Sequence, residues 1–318
     1  MAMTATLALQ VIQPILVLLL APLLTGVVRK TKARLQRRRG PSIVQPYRDI
    51  IRLLRKESVL AHNASWLFSA TPYFVLAATW VAATLVPTFR FDTGLGPAAD
   101  LIVIVGLLAS ARFALALAGL DVGTSFGGIG ASREMMIATV AEPAMLMLIF
   151  SLALVAGTTR LSDIAIFVQS PILGLRISLM LAFVGFVIIA VAENGRIPVD
   201  NPSTHLELTM VHEAMVLEYS GRHLALIELA HSTKLLLYVS LISVVFFPWG
   251  VAPVGSDMAR HGVAILLYIA KLFVGANLLA LFELTIAKMR VFRVPQFIGV
   301  ALMLGLLAAL LRLVSRSL

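Results

Sequence analysis

The chain is a succession of long apolar stretches separated by short polar ones. A helix that crosses the hydrocarbon core of a bilayer needs about 20 mostly apolar residues. Eight stretches reach that length, at roughly 6–28, 66–87, 100–120, 135–157, 175–193, 234–254, 262–284 and 295–314. They predict an all-α, polytopic membrane bundle of eight transmembrane helices, with 1–318 forming a single membrane domain. Residues 1–28 carry no charge, and so long an apolar start without a basic leader reads as a retained first span rather than a signal peptide. Pro14, Pro22, Pro143 and Pro248 fall within these stretches; a bundle tolerates them because neighbouring helices satisfy the freed carbonyls. No internal repeat is visible, which disfavours an inverted-repeat transporter.

Composition agrees. Of 318 residues, 59% are hydrophobic and 13% charged, about half the charge of a soluble domain, near 25%. There is no cysteine, so the chain offers no thiolate to an iron–sulfur cluster. The net charge of +10 would suit nucleic acid, but the basic residues lie beside apolar spans, which points to a lipid bilayer and no nucleic acid. Between alternate spans, one set of loops holds 17 Lys and Arg and the other side 6. The positive-inside rule then puts the first set in the cytoplasm and both termini on the outer, periplasmic side of the inner membrane.

The first cytoplasmic loop, 29–65, opens with a basic run from Arg29 to Arg39. After Pro46, the residues Tyr47, Ile50, Ile51 and Leu54 follow helical spacing on one face and Arg48, Arg52 and Arg55 hold the other. That pattern predicts a helix lying in the membrane interface, contacting anionic headgroups or a cytoplasmic partner.

Charges inside spans are costly and therefore mark sites of chemistry. Arg112 falls in the third span, Glu134 and Glu142 in or beside the fourth, and Lys271 and Glu283 in the seventh. A buried carboxylate of raised pKa exchanges protons near neutrality, so these groups are expected to form a proton path; structural ion pairing of Glu142 with Arg112 or Lys271 is the plainer reading. The loop 194–233 is the richest segment. With its edges it holds Glu193, Asp200, Glu207, Glu213, Glu218 and Glu228, and four of the six histidines, His205, His212, His223 and His231. A metal site is not expected, since His205 and His212 are two helical turns apart and no HExxH follows. The glycines Gly123, Gly127, Gly128 and Gly130 match no nucleotide-binding fingerprint and predict a tight inter-helix connection.

Several of these residues also carry a resemblance. Glu193-x-x-Arg196-x-Pro198-x-Asp200, then Glu218-Tyr219-Ser220-Gly221, with Arg39-Gly40-Pro41 and the Arg133/Glu142 pair, resemble the complex I subunit 1 family. Gln45-x-Tyr47-Arg48-Asp49, Gly119-Leu120-Asp121-x-Gly123 and Gly130–Glu134 are similar to its formate hydrogenlyase subunit 4 and hydrogenase-4 component C branch. The resemblance implies a non-catalytic membrane anchor and energy-coupling subunit of a group 4 [NiFe] hydrogenase. Its implied partners are the hydrogenase large and small subunits, an iron–sulfur protein and antiporter-like membrane subunits. The [NiFe] centre and iron–sulfur clusters would reside in those partners and no cofactor in this chain. Arg39, Arg48, Asp49, Arg133, Arg196, Pro198 and Tyr219 would then serve loop structure or partner docking. A quinone-binding junction subunit of an NADH dehydrogenase and a stand-alone ion transporter are the alternatives. Quinone members carry an acidic stretch after the motif aspartate where this chain has Asn201-Pro202-Ser203, so quinone binding is not carried over.

Overall fold

The computed structural model of the chain describes residues 2–91, 96–170, 177–197, 199–200, 210–253, 255–287, 289 and 293–317. Among them the regular structure is helical: α1 (Ala2–Leu35), α2 (Gln45–Leu54), α3 (Trp66–Leu85), α4 (Leu101–Asp121), α5 (Ser125–Ala156) and α6 (Leu161–Gln169), followed by α7 (Ile177–Glu193), α8 (His212–Val216), α9 (Gly221–Phe246), α10 (Met258–Thr285) and α11 (Val294–Ser317). Seven are long and apolar enough to cross a membrane, and α7 is a shorter apolar helix. The chain is a multi-pass, all-α membrane bundle.

Helix boundaries depart from the apolar stretches in a consistent way. α5 starts at Ser125, ten residues before the apolar stretch, because the Thr124 side chain accepts from the Gly127 N–H at 3.3 Å and caps the helix. Gly127, Gly128 and Gly130 therefore lie within α5 and not in the expected connection. α9 starts at Gly221 and ends at Phe246, so the expected loop 194–233 ends at Ser220, and His223, Glu228 and His231 are helical. α6 occupies what reads from sequence as a plain loop. The amphipathic stretch does fold as α2, with Ile51 and Leu54 half exposed on its apolar face.

α11 packs along α5 and α7, α3 along α4 and α9, and α1 along α9 and α10. In a membrane such contacts rest on close packing rather than on escape from water. The crossing of α4 and α5 is close: a Cβ on Gly127 would stand 2.2 Å from the Gly119 carbonyl oxygen. One turn later, a Cβ on Gly130 would meet Ala214 and Met215 of α8 at 2.9 and 3.0 Å. Small residues here let α4, α5 and α8 meet, and that brings the polar loop down onto the bundle.

Candidate functional site

The site grows from Arg112, a charged side chain buried in α4 at 7% exposure. A guanidinium presents five donors in a fixed fork and cannot be neutralised, so burial demands several acceptors. α5 supplies two. Glu134 and Glu142 are eight residues apart, just over two turns and about 12 Å along the axis. Arg112 sits between them, with Nε 3.2 Å from Glu134 Oε1 and Nη1 3.5 Å from Glu142 Oε1. Arg112 Nη2 contacts Oε1 of Glu193, the last residue of α7. Lys234 of α9 completes the network, its Nζ 3.0 Å from Glu193 Oε2. Five side chains thus tie four helices, and three carboxylates face two cations.

A small cavity of about 60 Å³ opens onto Arg112, Glu134, Glu193 and Lys234, and also onto Asn194 and Asp200. At about 15 Å³ per water site it has room for about four waters, with polar side chains in its walls. A second cavity of about 240 Å³ lies on the loop side, walled by Arg29 and Lys32 of α1, Glu228 of α9, Glu213 of α8 and the loop residue Arg196. Glu283 of α10 closes it, 2.6 Å from Lys32 and 3.7 Å from Arg196. Both cavities are also bordered by His212, His231 and Asp200.

Electrostatics in the loop favour neutral forms. Burial pushes the Glu213 carboxyl up, and the charges of Glu228 and Asp200 push it further while Arg29 opposes them. Burial and then the Lys234 ammonium bring the His212 imidazole down to about 4. The Asp200 carboxylate accepts from the backbone N–H groups of Val211 and His212, each at 3.4 Å, so it fastens the start of α8.

The expected site residues therefore divide. Arg112, Glu134, Glu142 and Glu193 come together, Arg112 with Glu142 among them as an ion pair. Asp200, Glu213 and Glu283 border the second cavity. Lys271 stands apart from both, since its ammonium donates to the Phe247 carbonyl at 2.6 Å. It faces an apolar space of about 700 Å³ between α7, α9 and α10, which meets the inner polar cavity at Asn194 and the loop-side one at Arg196. Glu218 is exposed and borders neither polar cavity. Pro198 and Glu207 lie outside the described residues.

Tyr219 and Arg196, expected to serve loop structure or partner docking, both turn inward, Tyr219 buried and Arg196 partly so. Tyr219 is 3% exposed; its ring stacks on Phe68 at 3.9 Å and its hydroxyl donates to the Phe68 carbonyl at 3.0 Å. The Ser220 hydroxyl and the Val59 N–H meet at 2.8 Å. This segment anchors the loop to the start of α3 instead of presenting it outward. Arg196 points inward to Glu283. Arg133 donates to the Met210 carbonyl at 2.9 Å, a second anchor. Arg39 and Arg48 are exposed and Asp49 pairs with Arg52 at 3.2 Å, which leaves this basic face open to headgroups or a partner.

Residues 7–314 match the NADH dehydrogenase family. The chain belongs to that family, the family of complex I subunit 1. Within it, the chain is 37% identical over 287 residues to formate hydrogenlyase subunit 4 of Escherichia coli (strain K12), covering 90% of this chain and 92% of the relative. Hydrogenase-4 component C of the same organism is 35% identical over 242 residues, 75% of this chain and 74% of that one. A chain of the membrane-bound sulfane sulfur reductase, an archaeal respiratory membrane complex, shares the fold at a TM-score of 0.81 and 20% identity, covering 97% of this chain and 99% of that chain. The buried Arg112 network is thus a feature of a complex I subunit 1 family member, in a chain whose relatives are named as subunits or components of larger assemblies.

Sequence reasoning missed Lys234, Lys32 and the two histidines as members of the site. Lys234 opens the predicted span 234–254, a position that by itself marks no chemistry. Its spacing of three residues from both His231 and Leu237 signals a shared helix face, but not which neighbour that face meets.

Proposed function

We propose that the chain is the membrane anchor and energy-coupling subunit of a formate hydrogenlyase-type, group 4 [NiFe] hydrogenase complex. Its anchoring face receives the redox subunits, and its interior contributes to proton translocation. One observation carries the reading: a five-membered ion network spans α4, α5, α7 and α9 and continues through polar cavities to the loop between α7 and α9. Taken as ionised, the network holds one more carboxylate than cation. It is therefore built to accept a single proton, and a charge change at the loop is felt inside the bundle. Similarity to formate hydrogenlyase subunit 4 along nine-tenths of the chain supports the choice of complex.

On this reading the hydrogenase large and small subunits and an iron–sulfur protein dock on the loop side, and antiporter-like subunits lie beside the bundle. They supply the [NiFe] centre and the clusters, while this chain holds and moves protons and carries no cofactor. The excess of basic residues on the loop side supports insertion in the cytoplasmic membrane with both termini periplasmic.

The test has two stages. Purification of the intact complex through a tag on this chain, followed by mass spectrometry and metal analysis, is expected to recover nickel, iron and hydrogenase subunits. Vesicles holding that complex are then assayed for proton movement with Glu193→Gln in place. Loss of proton movement with redox turnover retained is the expected result. Recovery of the chain alone and metal-free, or unchanged proton movement in Glu193→Gln, overturns the proposal.

A further inference from the structure

The two polar cavities touch through a narrow set of residues. Gly195, Asp200, His212, Ile227 and His231 border both. Among these the titratable groups are one carboxylate and two imidazoles, and the Asp200 carboxylate is already engaged by the backbone N–H groups of Val211 and His212. The two rings lie against each other, with centroids 5.2 Å apart and planes inclined at 31°.

α9 gives this junction an order. Glu228, His231 and Lys234 recur every third residue, so they climb one helix face in steps of about 4.5 Å. Glu228 borders only the loop-side cavity, His231 borders both, and Lys234 borders only the inner one. His212 comes from a different element, α8, and meets His231 from across the gap.

We propose that His212 and His231 form the proton relay between the two cavities, passing a proton from Glu228 on the loop side to the Lys234–Glu193 network inside. The inference rests on the proton-coupling reading above and names the group through which that coupling runs. In the step, the Glu228 carboxyl gives its proton to one nitrogen of the His231 ring. The other ring nitrogen releases its proton to His212 or to a water of the inner cavity, and from there it reaches the Glu134 carboxylate of the Arg112 network. Glu228 is left as carboxylate, both rings are neutral again, one inner carboxylate is protonated, and no electron moves. A neutral imidazole suits this role because one nitrogen donates while the other accepts.

The surroundings keep the charged state brief. The cations near the rings are Lys234 of α9, Arg29 and Lys32 of α1, Arg196 of the loop and Arg112 of α4. Facing them are Glu228 of α9, Glu213 of α8, Asp200 of the loop, Glu193 of α7, Glu134 of α5 and Glu283 of α10. Burial, and after it the Lys234 ammonium, disfavours a resting imidazolium at His212. The carboxylates on either side provide donor and acceptor for its transit.

The experiment uses the whole complex in sealed vesicles, measuring proton movement per redox turnover. The double variant His212→Phe/His231→Phe is expected to lose at least nine-tenths of proton movement, with hydrogenase turnover retained and partial recovery on adding imidazole, which fills a relay gap but does not repair a packing defect. Should that variant fail to assemble, His212→Gln/His231→Gln keeps hydrogen bonding without an imidazole and is expected to give the same loss. If Glu193→Gln stops proton movement and the histidine variants do not, the relay falls and the coupling function stands. If the wild-type complex moves no protons, both fall.

Discussion

Lys234 Nζ lies 3.0 Å from Glu193 Oε2, while the other oxygen of the same carboxylate meets Arg112. One carboxylate thus neutralises two cations drawn from α9 and α4. Removing one partner of a buried pair costs about 3–5 kcal/mol, because a charge is left uncompensated. Glu193→Gln is expected to lower the unfolding temperature of the purified protein markedly. Lys234→Met made in that background is expected to cost less than it does alone. A double-mutant cycle by thermal unfolding in detergent checks this, and strict additivity would contradict the shared pairing.

Acid should loosen the loop. The folded value of His212, near 4, is below its ordinary value of 6.5. Stability from keeping this ring neutral is therefore fully present above pH 6.5 and is lost as pH falls toward 4. At 1.36 kcal/mol per pKa unit the full effect is on the order of 3 kcal/mol. His212→Gln should flatten the fall in unfolding temperature between pH 6.5 and 4. The raised carboxyl of Glu213 works in the opposite sense: its contribution is greatest at low pH and is lost as pH rises through its folded value.

Tyr219 offers a separable test of anchoring. Tyr219→Phe keeps the stack on Phe68 and loses only the bond to its carbonyl, a cost of about 1 kcal/mol. Tyr219→Ala removes the ring as well, about 3–5 kcal/mol by analogy with other buried aromatics. Limited proteolysis within 210–220 should be slow in the wild type and in Tyr219→Phe and fast in Tyr219→Ala. Equal cleavage of all three would show that the loop is held elsewhere.

Lys271→Met is expected to leave proton movement unchanged. Its ammonium donates to the Phe247 carbonyl and borders neither polar cavity, so the change removes one hydrogen bond worth about 1 kcal/mol. A loss of proton movement equal to that of Glu193→Gln would place Lys271 on the path after all.

The spans were legible because a bilayer imposes a minimum apolar length, and the intramembrane charges stood out against it. Helix ends were not. Thr124 and Gly221 begin helices in polar sequence, where hydropathy records the membrane boundary and capping sets the helix boundary. Arg112, Glu134, Glu142 and Glu193 could be named in advance, but Lys234 was passed over while Lys271 was named with them. Only packing reveals that one meets a carboxylate and the other a carbonyl. The Tyr219 motif was visible as a pattern while its inward direction was not, since direction depends on Phe68, 151 residues away.

Gly127→Ala is expected to reduce accumulation in the membrane and to cost about 1–3 kcal/mol by overpacking. Gly128→Ala next to it, where an added methyl meets nothing within 4 Å, is the control and should be near neutral. Immunoblotting of membranes together with thermal unfolding compares the two.

That crossing has a mechanical consequence. With only hydrogens between Gly119 and Gly127, α4 and α5 touch at a fulcrum. Arg112 and Glu134 each sit seven residues from it, about 10 Å along their helices. Ala156, at the far end of α5, is 29 residues away, about 44 Å. A 5° swing about the pivot moves the ion pair by under about 1 Å and the helix tip by about 4 Å. The short arm holds the charges in register, and the long arm carries the displacement to the opposite side of the membrane.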